Sequence, residues 1–347
     1  MKKIIVSGGY GFIGSNLIKY LIKKKYFIIN IDKLSYSANK YNLKNINKKN
    51  YVFYKGDIGN KFLIFQILLK YKPHYFFNLA AETHVDRSID SPKTFIDNNI
   101  NSLFNLLETI RKYIKDTKNK IKLIHISTDE VYGDLVNTKK RADENFPYKP
   151  SSPYAASKAS ADHLIKSYVR TYKFPAIISN CSNNYGPNQF PEKLIPKVIF
   201  NIINNKPIPI YSKGLNSREW IHVADHCSAL EILAKKGIVG QNYNIGSNKD
   251  LTNLDLVNII IKIIKKKTNK FKNNIKIIHV EDRPGHDFRY AINSSKIRNE
   301  LNWKPKIFLK AGISSTIDWY LENLDYFKKI KKQYVNRLGL KKWLKKE

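Results

Sequence analysis

At 347 residues with 42% hydrophobic side chains, the chain is long enough for one large core plus a smaller lobe and too apolar for global disorder. Its two cysteines, Cys181 and Cys227, exclude a disulfide framework and have no metal-ligand spacing, so no metal is expected and a reducing cytoplasm is the expected compartment. Formal net charge is +34, from 62 Lys+Arg against 28 Asp+Glu, but the basic residues are spread along the chain with no basic arm and no basic–aromatic repeat; this reads as compositional drift, and a nucleic-acid partner is not expected.

In chain order, a basic start and a short apolar run at Lys3–Ser7 are cut off by glycines, which does not make a signal peptide. No stretch approaches the roughly 18 apolar residues that span a bilayer, so no membrane association is expected. Lys3–Ser7 reads as a strand and Phe12–Lys24 as an amphipathic helix. Further strands are expected at Tyr26–Ile31, Tyr51–Tyr54, Tyr75–Leu79, Ile121–Ile126 and Ala176–Ser179. Helices are expected at Lys61–Tyr71, Pro92–Lys115 and Pro153–Tyr172, with Ser91 as the N-cap before Pro92. Continuously apolar strands alternating with helices predict an α/β fold, a Rossmann-like doubly wound parallel sheet. Residues 1–180 are expected to form this unit, with returns to it near 219–224 and 241–246 (Trp220–Val223 and Tyr243–Ile245). The proline-rich stretch 181–325 is expected to be mainly a smaller C-terminal substrate-binding lobe, and 326–347 a basic, solvated helix or tail.

Three places carry chemistry. Gly8, Gly11 and Gly14 lie between the first strand and first helix, where a tight turn lets backbone approach a pyrophosphate at the helix N-terminus. Asp32 ends the second strand, where a carboxylate accepts from both ribose hydroxyls and repels a 2′-phosphate, which favours NAD over NADP. Asp57-Ile58 and Leu79-Ala80-Ala81 close the next two strands, the first suited to the adenine amino group and the second leaving room for the cofactor. Tyr154 and Lys158, four apart on a helix, share a face; there the lysine charge is expected to lower the tyrosine pKa so that it takes a proton as hydride leaves an alcohol carbon. Thr128-Asp129-Glu130 follows the Ile121–Ile126 strand, and two adjacent carboxyls of unequal protonation are what an elimination needs. Strand neighbours point to opposite faces, so the backbone must turn there for both acids to reach one substrate.

The blocks GGYGFIGSN, DKLSY, LAAETHVDRSID, STDEVYGDL, SPYAASKASADHL, CSNNYGPNQFPEKLIP, REWIHVADH and EDRPGHDFRYAI together resemble the extended short-chain dehydrogenases/reductases and, within them, the dTDP-glucose 4,6-dehydratases. The resemblance implies an NAD enzyme, a homodimer and a nucleotide-sugar substrate, dTDP-glucose. It implies that Tyr154 is the base for oxidation at C4, Thr128 the partner of the C4 oxygen, Glu130 the base at C5, and Asp129 the acid at the C6 hydroxyl. It adds Phe12, Ile13, Lys33, Leu34, Ser35, Glu82, Thr83, Asn98 and Asn184 to the cofactor contacts, alongside Tyr154 and Lys158. On the substrate side it places Thr83, Asn183, Lys193, Leu194, Pro209, Ile210, Tyr211, Arg218, Asn253, Arg283, Pro284, Gly285, His286 and Asp287. His84 and His286 are expected to be structural, not catalytic. Ser7, Tyr10, Ser37-Ala38 and Phe288 depart from the family pattern without touching the chemistry. Three alternatives stay open: a dehydratase acting on UDP- or CDP-glucose, a nucleotide-sugar 4-epimerase, and a basic nucleic-acid-binding protein on a Rossmann scaffold.

Overall fold

The computed structural model describes residues 1–136, 138–268, 275–328 and 330. Its strands are β1 (Lys3–Ser7), β2 (Phe27–Asp32), β3 (Tyr51–Lys55), β4 (Tyr75–Asn78), β5 (Lys122–Thr128), β6 (Ala176–Cys181), β7 (Asn183–Tyr185), β8 (Ile208–Tyr211), β9 (Ser217–His222), β10 (Asn242–Ile245), β11 (Asp250–Thr252) and β12 (Ile277–Val280). Seven of them form one parallel sheet in the order β10-β6-β5-β4-β1-β2-β3. The strands are apolar on both faces because both faces are covered. One cluster packs the helix Phe12–Lys23 and the helix Val223–Lys236 on one side; another packs Lys61–Tyr71, Ser102–Thr117 and Pro153–Tyr172 on the other. The chain reverses direction in the sheet between β1 and β4, so a crevice opens at their carboxyl ends, the place where such sheets bind ligands.

The expected strands and helices of the first half are present within a residue or two at most ends. The helix expected over Pro92–Lys115 is more elaborate. It starts as Pro92–Phe95, widens into a π-helical turn at Ile96–Asn101, and continues as Ser102–Thr117. Ser91 precedes it, but its side chain makes no capping bond; a short helix at Val85–Asp90 runs into it and leaves Ser91 at φ −148° and ψ 67°. Tyr243–Ile245 lies in β10 at the edge of the main sheet. Trp220–Val223 does not return there. β6 breaks at Ser182 and continues as β7, which takes β9 as a parallel neighbour, while β11 pairs antiparallel with the other edge of β9. Residue 223 already begins a helix.

A third apolar cluster, centred on Tyr185, Ile195, Ile199, Trp220, Ile260, Ile317 and Tyr320, holds the second lobe together. Tyr326, Phe327 and Ile330 belong to it, so the segment expected to be a solvated tail begins as a buried anchor; ring contacts of Tyr326 and Phe327 with Tyr320 explain why. Lys328 is exposed, and residues 329 and 331–347 of that segment lie outside the described residues. No helix among the described residues is long and apolar enough to cross a membrane.

Candidate active site

The glycine turn is dictated by close approach. Gly8 has φ +68°, and a Cβ there would sit 3.0–3.1 Å from the backbone of Leu79 and Ala80. A Cβ on Gly14 would lie 2.2 Å from the Gly8 carbonyl oxygen. Helix Phe12–Lys23, to which Phe12, Ile13 and Gly14 give the first turn, has Gly11 as its N-cap and no side-chain cap, so its first N–H groups are left for a ligand. Asp32 is buried at the tip of β2. Its two oxygens accept from the backbone N–H of Tyr10 at 2.9 Å and of Leu34 at 2.7 Å, the latter bond holding Leu34 at φ +62°. Burial raises the Asp32 pKa, opposed by these two bonds.

A cleft at this point is lined by Gly8, Gly11, Asp32, Lys33, Ser35, Asp57, Ile58, Leu79, Ala80, Ala81 and Asn98. Each of these was an expected cofactor contact. Lys33 donates to Asn98 and pairs with Asp57 at 3.5 Å, while the other Asp57 oxygen accepts from the Gly59 N–H at 2.7 Å. Ser37, Ala38, Gly56 and Ser102 also line it and were not assigned; Ser102 had a signal, lying one helical turn after Asn98. Glu82, Thr83, Tyr154, Lys158 and Asn184 lie outside this lining. Glu82 is joined through Asn99 to the helix that carries Tyr154. Asn99 bonds the Glu82 N–H and carbonyl at 2.9 and 3.0 Å and the Ser157 hydroxyl at 2.9 Å. Asn99 gave no sequence signal, because its place inside a π-helical turn alters the side-chain register. The bare helix N-terminus, the buried ribose-type acceptor and the small-residue wall together fit NAD.

The acid pair solves its geometric problem by a turn. β5 ends at Thr128, and Asp129–Tyr132 forms a 3₁₀ turn that Thr128 caps by accepting the Glu130 N–H at 3.3 Å. The Thr128 hydroxyl also donates to Asp129 Oδ1 at 3.2 Å. Asp129 Oδ2 and Glu130 Oε2 are buried and have no hydrogen-bond partner among the described residues. Asp129 is pushed well above the usual carboxylate range by burial, then by Glu130 and Glu219. Glu130 is also raised by burial, but the nearby charges of Arg283, Arg218 and Lys193 oppose it. Both acids are raised, Asp129 the more strongly, so Asp129 is the one better kept in the acid form and Glu130 the one more readily ionised.

Tyr154 and Lys158 share a buried helix face, as their spacing requires. The expectation that Lys158 lowers the Tyr154 pKa is not met in the ligand-free chain. Burial and the charge of Glu130 hold the phenol well above its usual range, while a hydrogen bond from Thr128 pulls the other way. The physical reason is direction: the Lys158 ammonium donates to the Ile126 carbonyl at 2.8 Å and meets His125 Nε2 at 3.2 Å. Lys158 itself is lowered to about 8, mainly by burial.

The substrate-side residues converge from the second lobe. Arg283 pairs with Asp86 at 2.8 Å, and Tyr211 donates to the other Asp86 oxygen at 2.8 Å. Pro209, Ile210 and Tyr211 lie in β8, whose parallel neighbour β12 leads into the Arg283–Asp287 segment. In that segment Gly285 has φ +63°, His286 bonds Asp282, and Asp287 accepts from the Tyr290 hydroxyl. Burial lowers the His286 pKa to about 4. Arg218 is buried over the Tyr290 ring and donates to the carbonyls of Ser217, Asp287 and Phe288. Lys193 caps the helix Leu194–Ile203 and reaches the Thr83 carbonyl at 2.8 Å. Asn253 opens the helix Asn253–Lys267. Asn183 pairs with Trp220 across β7 and β9, and Asn184 is fixed by His226 at 2.9 Å. His84 lies 3.8 Å from Glu192 and is lowered to about 4 by burial, consistent with a neutral, structural role. Asp86 and Glu192 escaped the sequence reading although both lie within the quoted blocks; nothing in spacing alone marks them.

A family model described as GDP-mannose 4,6 dehydratase matches residues 5–316. A dTDP-glucose 4,6-dehydratase of Salmonella typhimurium is 45% identical over 347 residues, covering 95% of this chain and 95% of its own. Among solved structures, the dTDP-glucose 4,6-dehydratase of Bacillus anthracis in complex with NAD is 44% identical, with TM-score 0.85 over 95% of this chain and 100% of its own. The enzyme of the same name from Streptomyces venezuelae, with NAD and TYD bound, is 34% identical, with TM-score 0.87 over 95% of this chain and 100% of its own. With the same fold and a match that runs nearly end to end, this chain belongs to the dTDP-glucose 4,6-dehydratase family.

Proposed function

We propose that the chain is an NAD-dependent lyase that converts dTDP-glucose to dTDP-4-keto-6-deoxyglucose and water. The observation that carries this is the capped turn at Thr128–Glu130. It brings two unpartnered, buried carboxyl oxygens of unlike protonation beside Tyr154. Proton transfer at one hydroxyl would need Tyr154 and Thr128 alone; the acid pair supplies what an elimination adds, which favours this reading over a 4-epimerase.

NAD, when bound, would supply the acceptor and later the donor for the hydride that moves from C4 to C6, and its positive charge would favour the Tyr154 phenolate. Asp32 would hold the adenosine ribose, the Gly8–Gly14 turn the pyrophosphate, and Lys158 and Asn184 the nicotinamide end. Thr128 and Tyr154 would bind the C4 oxygen, with Tyr154 taking its proton. The C4 ketone acidifies the C5 proton, which Glu130 would remove while Asp129 protonates the departing C6 hydroxyl. Glu130 then returns a proton to C5. Each turnover leaves Tyr154 with one proton too many and Asp129 with one too few. Thr128 donates to Asp129 Oδ1 and is among the groups that lower the Tyr154 pKa, so its hydroxyl would be placed to take the proton from Tyr154 as it gives its own to Asp129, without recourse to bulk water. Arg218, Arg283 and Lys193 would hold the diphosphate, Arg by its planar fork. Tyr211 with Pro209 and Ile210 would flank the base, and Thr83 and Asn183 the sugar.

The enzyme would act in the cytoplasm as a homodimer. Support for the dimer is the outward face of Pro153–Tyr172, with exposed Ala156, Ser160 and Ser167 small enough for close helix packing, together with exposed Ile96 and Phe104 on the helical segments that pack against that helix.

The test is turnover of dTDP-glucose in heavy water, followed by mass spectrometry and proton NMR. The expected product is a dehydrated 4-keto-6-deoxy sugar with deuterium at C5, formed by the wild type and lost in Glu130→Gln. Water loss from UDP-glucose alone would keep the mechanism and change the base. No turnover of any nucleotide-glucose with added NAD would sink the reading.

A further inference from the structure

Lys158 poses a question that the catalytic reading does not answer. Its ammonium is 3% exposed, and a buried charge needs a counter-charge. Its direct partners, the Ile126 carbonyl and His125 Nε2, are both neutral. The nearest candidate is Asp162, four residues further along the same helix and therefore on the face of Tyr154 and Lys158.

Asp162 is 0% exposed. Its Oδ2 receives three donors: the Ser127 hydroxyl at 2.7 Å, the Tyr148 hydroxyl at 3.0 Å and the Asn180 amide at 3.2 Å. Burial raises the Asp162 pKa, opposed first by the charge of Lys158 and then by these three bonds, and three donors on one oxygen favour the ionised carboxylate, which only accepts. Among the described residues its Oδ1 has no hydrogen-bond partner; it lies 3.8 Å from His125 Nε2, the nitrogen that faces Lys158 at 3.2 Å. On the other side of the ring the Asn78 side-chain amide lies 3.1 Å from Nδ1; a neutral imidazole accepts at one nitrogen only, so with Lys158 donating to Nε2 the Nδ1 carries the hydrogen and the amide turns its oxygen toward it. The imidazole thus lies between an ammonium and a carboxylate that do not touch. An ammonium has only donors, so it can meet Nε2 only by donating to its lone pair. The carboxylate then balances the charge whether the proton rests on lysine or on histidine.

We infer that Asp162 is the counter-charge of Lys158, acting across His125, and so a positioning residue for the Tyr154–Lys158 pair. The inference rests on the reading of Lys158 as the residue that holds the cofactor ribose. The other titratable groups facing the site do not supply the charge. The Cys181 thiol is pushed up to about 12 by burial and stays neutral. Tyr148 is raised far out of reach, mainly by burial. His125 is pushed well below its usual value by burial and then by Lys158. Burial also lowers Lys158 to about 8, with Asp162 the leading influence that holds it up.

The sign of the effect follows. A negative charge favours the protonated lysine, so removing it lowers the Lys158 pKa. NAD affinity, measured by calorimetry across pH, is expected to fall in the wild type as Lys158 deprotonates near pH 8. In Asp162→Asn, which keeps the side chain's shape, the onset should move at least about one pH unit lower, with binding at pH 8 weaker by roughly fivefold or more. An unmoved onset, with affinity reduced by one factor at every pH, would mean a packing role and overturn the inference. A second measurement serves if that variant does not fold. Lys158→Met strands the Asp162 charge, so Lys158→Met/Asp162→Asn should melt at a higher temperature than Lys158→Met alone; equal or lower melting overturns the inference. Neither readout requires turnover, so a chain that fails to dehydrate dTDP-glucose would fail the functional reading separately.

Discussion

Asp129 is a group placed where it is unstable so that it can act. It is buried among Glu130 and Glu219 and raised well above its ordinary pKa. A carboxyl with a raised folded-state pKa stabilises the fold below its unfolded value and loses that contribution as pH rises through the folded value. At neutral pH the site therefore carries strain that Asp129→Asn should relieve. The expected result is a variant with at least about a hundredfold lower kcat for dehydration and a higher melting temperature, by about 1 kcal/mol of stability. The gain should shrink as pH falls toward the range where the wild-type carboxyl is protonated. A melting temperature below that of the wild type at neutral pH would show that Asp129 is a structural acid. Residues of this kind were legible because their partners are adjacent in sequence: Asp129 beside Glu130, Tyr154 one helical turn from Lys158. Asn99, Asp86 and Asp162 were not. Their partners (Glu82 and Ser157, Arg283 and Tyr211, Ser127 and Asn180) are brought together only by the fold.

At the scale of elements, the parallel sheet announces itself because each strand is buried on both faces and so reads as an apolar run, while the helices between carry their own spacing. The second lobe hides its pairing. β7, β8, β9, β11 and β12 have only three to six residues each, and neighbouring prolines blur their ends. That is why β9 was expected in the main sheet, although the β6 edge it would need is taken by β10. The turn from β1 into the first helix is the element on which the proposed cofactor binding depends. Gly14→Ala puts a Cβ where the Gly8 carbonyl already stands, and the helix must move away from the strand to admit it. The expected cost is about 1–3 kcal/mol of stability. NAD affinity should fall far more than that of an equally destabilised variant remote from the cleft, such as Ile199→Ala in the second lobe. Calorimetric titration of both variants with NAD makes the comparison, and equal losses would refute the placement of the pyrophosphate at this turn.

For the whole molecule the question is what a net charge of +34 does. The charged groups closest to the acid pair, Arg218, Arg283 and Lys193, are fixed by contacts that orient them: Arg218 by three carbonyls, Arg283 by Asp86, Lys193 by the Thr83 carbonyl. The remaining excess is spread over the surface. Such a field does not choose among nucleotide sugars, but it raises the rate at which any polyanion arrives, and salt screens it over about 10 Å at 0.1 M. For the proposed substrate, which carries a diphosphate, kcat/KM should therefore fall severalfold between about 0.02 and 0.3 M salt if encounter limits it, while kcat stays nearly constant, because the groups proposed to hold the bound substrate are buried or half-buried and salt screens them little. The same field attracts nucleic acid without specificity, and that binding should vanish over the same salt range. Steady-state kinetics with dTDP-glucose across ionic strength separate two uses of the charge. A falling kcat/KM assigns it to substrate capture. A flat kcat/KM, accompanied by nucleic-acid binding that survives physiological salt, would mean that the surface serves a second partner and that the enzyme site is not what the charge is for.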